Sequence, residues 1–452
     1  MNIRASLGKT FTLGQCLAWL WGSLILVLLG AHFYRASDYG MVLCVVGMLV
    51  LFCSTASWKR WAVALFLLWG MLEWSVSACT LAQVRMTIGM PWMRGALILS
   101  SVAIVTGLTG IVVARQAKRL AREKEEADAF FRAIVFMAVF FCLFLMRRFA
   151  PLDFLLLERF FPKWGGVEIF FAACYGSFVA GLLADDRKAR KVRPRLWMAF
   201  TCIFFVQFAL GLLGVGQMLL TGKFHVPVPA FIIYGTVFRE SFNVMPFIVL
   251  VSTLLLGSAW CSMLCYFGPF DVLASQGKAL KPLSPSLGKV FRWGRGVVLV
   301  SGVALTLLLK RAGIDTATAV SVALAYAALS LLLMATLSRR YGGMVHCTAF
   351  CPMGLLVNLL SRLSPWRMRV DSAACNGCGA CEKVCRWRAI TADSRAQGTV
   401  LLQCSLCRDC ISVCHREAIE LRCGNLSKEV SGRVFVGFLA TLHTVFLACA
   451  MV

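Results

Sequence analysis

Eight cysteines fall in two runs within a stretch of forty residues, Cys375, Cys378, Cys381, Cys385 and then Cys404, Cys407, Cys410, Cys414, and each run reads C-x2-C-x2-C-x3-C. Thiolate sulfur is a soft ligand suited to iron–sulfur clusters, and this spacing is the one that holds cubane 4Fe-4S clusters. Identical spacing twice in tandem predicts two such clusters and, with them, one-electron transfer. A quieter pattern repeats as well. Trp260-Cys261-Ser262-Met263-Leu264-Cys265 and His346-Cys347-Thr348-Ala349-Phe350-Cys351 are both C-x3-C, with Gly268 and Gly354 three residues after the second cysteine. On a helix, positions four apart share one face, so each pair can present two thiols to a common point. If the hairpins that carry them pack about a pseudo-twofold axis, four sulfurs converge at the membrane surface. Four thiolates suit a third iron–sulfur centre or copper as Cu(I), and two thiols at each site suit reversible dithiol chemistry. The residues leave these three open. A lone C-x3-C also fits buried cysteine as an ordinary small hydrophobe; repetition at matching places favours a redox role.

In two-cluster ferredoxins the fourth cysteine of each run ligates the other cluster. The expected ligand sets are therefore Cys375, Cys378, Cys381 with Cys414, and Cys404, Cys407, Cys410 with Cys385.

The elements that must position these cysteines are mostly apolar. The chain has 452 residues, 60% of them hydrophobic and 15% charged, with a mean hydropathy of +0.79, which is far from the make-up of a soluble domain. The expected fold class is a mainly α polytopic membrane protein of about 11 transmembrane helices, with a small α+β ferredoxin domain of the bacterial two-cluster type. Apolar windows fall at 12–31, 40–56, 60–79, 96–114, 130–148, 167–184, 197–220, 242–258, 295–310, 317–337 and 434–452, the second, eighth and ninth being short. No small-residue cleavage site follows the first window, so it reads as a retained helix rather than a removed signal. The formal charge of +25 does not point to nucleic acid, because the basic residues sit in short loops where topology and anionic headgroups account for them.

Arg4 and Lys9, Lys59 and Arg60, Arg115 to Arg122, the run from Arg187 to Arg195, and Lys278 to Arg295 fall in alternate loops. The positive-inside rule places those loops, the N-terminus and both cysteine runs in the cytoplasm of a bacterial inner membrane, and the C-terminus outside. The expected domains are a membrane domain of about six helices over 1–196, a four-helix module with the C-x3-C pairs over 197–365, the ferredoxin domain over 366–424, and a last transmembrane helix over 425–452. The charged segment from Arg115 to Arg132 lacks turn residues and reads as a solvated extension of the fourth helix.

Between Trp366 and Arg422 nine Lys or Arg stand against six Asp or Glu. Cationic neighbours such as Arg386, Arg388, Arg408 and Arg416 favour the more reduced, more negative cluster states, so potentials above those of acidic ferredoxins are expected. His346 abuts a cysteine of the second pattern, and His415 adjoins a ligand that it can tune by charge or hydrogen bonding. His32 and His443 read as polar packing. Glu73, in a stretch otherwise apolar from Trp61 to Ala78, is a charge inside a span and so a candidate for a proton-linked role. The scattered cysteines, such as Cys44, Cys174 and Cys423, share no spacing and read as core.

Four spans, a C-x3-C after the second, a C-x3-C-P after the fourth and then two ferredoxin runs resemble the membrane polyferredoxins of the NapH type over roughly residues 197–422. The segment is also similar to the C-terminal half of the NosR nitrous-oxide regulators and to the copper-handling CcoG proteins of oxidase assembly. The resemblance implies electron transfer at the inner membrane between the quinone pool or a cytoplasmic donor and other redox subunits or periplasmic electron carriers. Its alternatives are a copper-reducing assembly factor, with Cys261, Cys265, Cys347 and Cys351 as the copper site, and an iron–sulfur redox sensor. The chain departs from the pattern at Tyr266, where the family carries proline, which predicts a different local turn. Arg386 and His415 stand where bacterial ferredoxins commonly have proline. No segment corresponds to a large periplasmic flavin domain.

Overall fold

A computed structural model describes residues 13–54, 56–120, 123–150, 152–219, 226–242 and 244–449. The chain divides into two compact units, Met1–Phe178 and Val179–Val452.

The first unit is helical: α1 (Leu13–Arg35), α2 (Tyr39–Phe52), α3 (Ser57–Thr87), α4 (Met93–Leu120), α5 (Glu123–Phe149), the single turn α6 (Leu156–Phe160) and most of α7 (Gly165–Leu183). Its core is aromatic. Trp69 of α3 packs edge-on against Phe140 and Phe144 of α5, each 5.0 Å between ring centres, the geometry that aromatic quadrupoles prefer. Asp38 caps α2 by accepting from the Met41 N–H and pairs with Arg147 at 2.6 Å, which also reaches Glu158 at 3.2 Å. The start of α2 lies against the start of α7 at Gly40 and Gly166, where a Cβ on Gly166 would stand 2.4 Å from the Gly40 carbonyl carbon. α4 runs helical to Leu120 and α5 begins at Glu123, so the charged segment extends the fourth helix only as far as Leu120, and its remainder from Glu123 to Arg132 opens the fifth.

The second unit holds α8 (Asp186–Leu212), α9 (Ala230–Arg239), α10 (Val244–Leu256), α11 (Gly268–Ser275), α12 (Pro285–Arg311), α13 (Thr316–Leu333), the turn α14 (Arg339–Tyr341) and α15 (Pro352–Leu360). There follow β1 (Trp366–Val370), the short α16 (Ala380–Val384) and α17 (Ala392–Ala396), β2 (Ile419–Cys423) and α18 (Lys428–Ala448). The strands pair antiparallel, from Trp366 opposite Cys423 to Val370 opposite Ile419. Alternation puts Trp366, Met368 and Val370 inward. Trp366 then packs on Phe435 of α18 at 5.2 Å and donates its Nε1–H to the Leu255 carbonyl at 2.6 Å, so the sheet is tied to α10 and α18.

Among the described residues nine helices are long and apolar enough to cross a membrane. The expected span at 40–56 is instead the 14-residue α2, about 21 Å long at 1.5 Å per residue and short of a hydrocarbon core of about 30 Å. The expected span at 12–31 is α1, whose first expected residue lies outside the described residues. The ten-residue apolar α9 was not expected. The basic run from Arg187 to Arg195, read as a loop, forms the opening turns of α8. Asp185 starts it by accepting from the N–H groups of Arg187 and Lys188, and an acidic cap with straight-chain basic residues behind it is a strong helix start.

Candidate functional site

After α10 a short turn at Gly257–Ala259 opens into one π turn, Trp260–Leu264, and a second π turn forms at His346–Phe350. In each, the second cysteine closes the turn, with the Cys265 N–H donating to the Trp260 carbonyl at 3.0 Å and the Cys351 N–H to the His346 carbonyl at 2.9 Å. The chain leaves both in nearly the same conformation, Cys265 at φ −70°, ψ 116° and Cys351 at φ −76°, ψ 113°. The expectation of ordinary helix is thus corrected to the wider π turn, a local feature frequent at functional sites. The different turn expected from Tyr266 does not arise. Tyr266 stacks on Phe204 at 4.1 Å, so packing holds what proline holds after Cys351.

Each second sulfur faces the backbone N–H groups two and three residues on: Phe267 and Gly268 for Cys265, Met353 and Gly354 for Cys351. Amides at the start of a helix favour negative charge. The glycines are needed for close approach, because a Cβ would stand 2.4 Å from the Trp197 ring at Gly268 and 3.2 Å from the Cys347 carbonyl at Gly354.

The two π turns bring their thiols together. Cys347 interacts electrostatically with Cys351, Cys265 and Cys261, and Cys261 with Cys265 and Cys351. Burial pushes the Cys265 thiol up to about 12, and burial, Asp271 and the neighbouring sulfurs push Cys347 well above its ordinary value. Left to themselves these groups stay protonated; a bound metal centre is what deprotonates such a set. Asp271, fully buried on α11, accepts the Cys347 N–H at 2.9 Å, and burial raises its own carboxyl to about 6. Arg295 of α12 is the cation beside Cys351, Cys261 and Cys347. His346 is buried with Nδ1 unpartnered, and burial lowers its imidazole to about 4, so it is neutral.

The ferredoxin cysteines fall into two further groups. Cys375, Cys378, Cys381 and Cys414 line one cavity together with Arg395 and His415. Arg395 is a cation beside Cys381 and pairs with Glu382 at 2.9 Å. Cys385 instead neighbours Cys410, Cys407 and Cys404, and its sulfur accepts from the Ala389 N–H at 3.2 Å. Burial pushes Cys404 up to about 12 and raises Cys410, with Cys407, Cys404 and Cys385 adding to it.

Both runs follow one backbone path. The left-handed positions two and four residues after the first cysteine are Gly377 (φ 73°) and Gly379 (φ 70°) in the first run, and Leu406 (φ 51°) and Arg408 (φ 65°) in the second. A side chain in that region is strained and persists where its surroundings fix it. Leu406 packs against Gly257, while Arg408 donates to the Leu183 carbonyl at 2.6 Å and pairs with Asp186 at 3.2 Å. The second run therefore carries docking side chains where the first carries glycine.

Among the described residues no three His, Cys, Asp or Glu side chains close on a point that would hold a single metal ion. A cubane spreads its four ligands over separate irons and needs wider spacing than one tetrahedral ion at Zn–S distances of about 2.3 Å.

The cationic residues do not act as one field. Arg386 donates through Nη1 to the carbonyls of Ser275 at 2.9 Å and Lys278 at 2.8 Å, and also to that of Gly342. Arg388 donates to Lys281 at 2.8 Å and Tyr341 at 3.0 Å. These two guanidinium groups hold the ferredoxin domain onto the segments after α11 and α14, which explains arginine where ferredoxins have proline. Arg386→Ala is expected to leave three carbonyls unmatched at about 1–3 kcal/mol for a buried one, lowering the melting temperature while iron content stays unchanged; a variant that melts with the wild type would remove the docking role.

The remaining candidates stay outside these groups. Glu73 stands 3.9 Å from His32, whose ring lies 4.5 Å from Trp74, and His443 packs against Phe200 at 5.4 Å. Sequence reasoning passed over Asp271, Arg395 and Trp197, and counted Arg193 only within the basic run from Arg187 to Arg195. Arg295 it assigned to the cytoplasmic loop. Arg295 follows Lys289 and Arg292 in the opening turns of α12, so nothing local marked it or the others.

Residues 241–284 and 323–370 match a family described as "4Fe-4S binding domain", and residues 368–391 match a second family of that description. The first two intervals contain the two C-x3-C turns. "Uncharacterized protein MJ0749" of Methanocaldococcus jannaschii is 26% identical over 179 residues, 38% of this chain and 67% of that protein. The "Putative electron transport protein YccM" of Escherichia coli is 34% identical over 99 residues, 22% of this chain and 24% of that protein. No solved structure matches. The chain is thus an iron–sulfur protein with 4Fe-4S binding domains, and an electron-transfer role is supported.

Proposed function

We propose that the chain is a multi-pass membrane protein that relays single electrons through three four-cysteine sites: Cys375, Cys378, Cys381 and Cys414; then Cys385, Cys404, Cys407 and Cys410; then Cys261, Cys265, Cys347 and Cys351. The observation that carries this reading is the sorting of twelve cysteines into three groups of four, the third formed by duplicated turns that each lie in a 4Fe-4S family match. A 4Fe-4S cluster, when bound, supplies a one-electron couple whose potential follows local charge and hydrogen bonding to sulfur. The protein supplies the rest. Arg395 is the cation beside Cys381 at the first site, the Ala389 N–H bonds a sulfur at the second, and paired amides with Arg295 offset thiolate charge at the third. The cysteine runs face the cytoplasm in this reading, and the third site stands at the membrane end. From there electrons pass to or from the quinone pool or a partner redox subunit or periplasmic carrier, as in the NapH-type proteins the sequence resembles.

Metal analysis of anaerobically purified full-length protein is expected to give about twelve irons per chain, four for each cubane. About eight irons with stoichiometric copper would replace the third cluster with a copper site and move the function to metal handling.

A further inference from the structure

The loop between Cys404 and Cys410 rests directly on the first π turn. Ser258 Oγ donates to the Cys404 carbonyl at 2.5 Å and Ser262 Oγ to the Ser405 carbonyl at 3.0 Å, so serines flanking Cys261 hold backbone of the second ferredoxin run. One charged side chain joins the same two segments. Arg193 of α8 is 6% exposed. Its Nη1 donates to the carbonyl of Ser262, between Cys261 and Cys265, at 3.1 Å, and its Nη2 donates to Asp409, between Cys407 and Cys410, at 2.8 Å. Cys407 lies within its electrostatic reach.

We propose that Arg193 is a positioning residue of the relay: it fixes the second site against the third, and with Asp409 it sets the potential of the second site. The proposal rests on the three-site reading above. The planar guanidinium makes both bonds at once, which a lysine ammonium on a flexible stem does not reproduce. A buried charge acts through low dielectric, where it is worth far more than at a surface. A cation beside a cluster stabilises its reduced, more negative state, and the adjacent carboxylate opposes it. One electron lost by either site is the electron gained by the other, so the difference between their potentials decides where it rests. Arg408, in the same run, reaches back to Asp186 and Leu183 instead.

The test is a redox titration of the full-length protein in detergent, followed by electron paramagnetic resonance, with the second site's signal identified as the one lost in Cys385→Ser. Arg193→Gln is expected to lower the midpoint of that signal relative to the first site by a tenfold change in the one-electron equilibrium, about 59 mV. Asp409→Asn is expected to raise it by a similar amount, and Arg193→Lys, which keeps the charge, to restore most of the loss. General structural damage would move Arg193→Gln and Asp409→Asn in the same direction. That result, or unchanged midpoints in both, overturns the proposal. If Arg193→Gln does not accumulate, Asp409→Asn alone decides by the sign of its shift. A wild-type protein without iron at the second site would instead defeat the three-site reading, and the iron analysis separates that failure from this one.

Discussion

Cys385→Ser is expected to remove the cluster of the second run and spare that of the first, although Cys385 belongs to the first run in sequence. The reason is spatial. Cys385 neighbours Cys410, Cys407 and Cys404, whereas the cavity at Cys375, Cys378 and Cys381 is completed by Cys414. A serine hydroxyl is a harder and far less acidic ligand than a thiol, so it does not replace the sulfur on iron. The expected loss is about four irons of about twelve. Cys414→Ser should give the mirror result, losing the signal that Cys375→Ser also removes. Iron content and the paramagnetic resonance spectra of the three variants check both expectations. Cys385→Ser grouping with Cys375→Ser would sink the crossed arrangement.

The crossed sets were expected from the rule of two-cluster ferredoxins that the fourth cysteine of each run serves the other cluster. Legibility fell where side chains answer to distant partners. Arg386 and Arg388 read in sequence as part of a positive field around the clusters, yet their guanidinium groups are held by carbonyls near residues 275–281 and 341–342. Nothing local distinguishes those two uses of an arginine. The segment from Arg187 to Arg195 read as a loop because charge ends an apolar window; its helix depends on the Asp185 cap and on Arg193 finding Asp409, which is 216 positions away in sequence. The pairing of the C-x3-C turns was visible as repetition. That they form π turns was not, since the i to i+5 bond leaves no residue-type signature beyond the glycines that follow.

Replacing Cys261 and Cys347 together by serine is expected to empty the third site while the first two keep their iron. One cysteine is taken from each π turn, so neither half retains a pair. The flanking contacts are independent of the sulfurs: Ser262 still bonds the Ser405 carbonyl, Trp197 Nε1–H still bonds the Cys265 carbonyl at 2.7 Å, and Asp271 still accepts the residue 347 N–H. The second run should therefore stay docked, with about eight irons left of about twelve. Reduced chemically, this variant should pass electrons to a lipophilic quinone acceptor at least tenfold more slowly than the wild type, about 1.4 kcal/mol in barrier, because the proposed relay then lacks its third site. Stopped-flow bleaching of the cluster absorbance measures that rate. Wild-type rates with four irons missing would take the duplicated cysteines out of the electron path. Loss of copper with iron unchanged would show that Arg295, Asp271 and the paired amides surround a metal cargo instead.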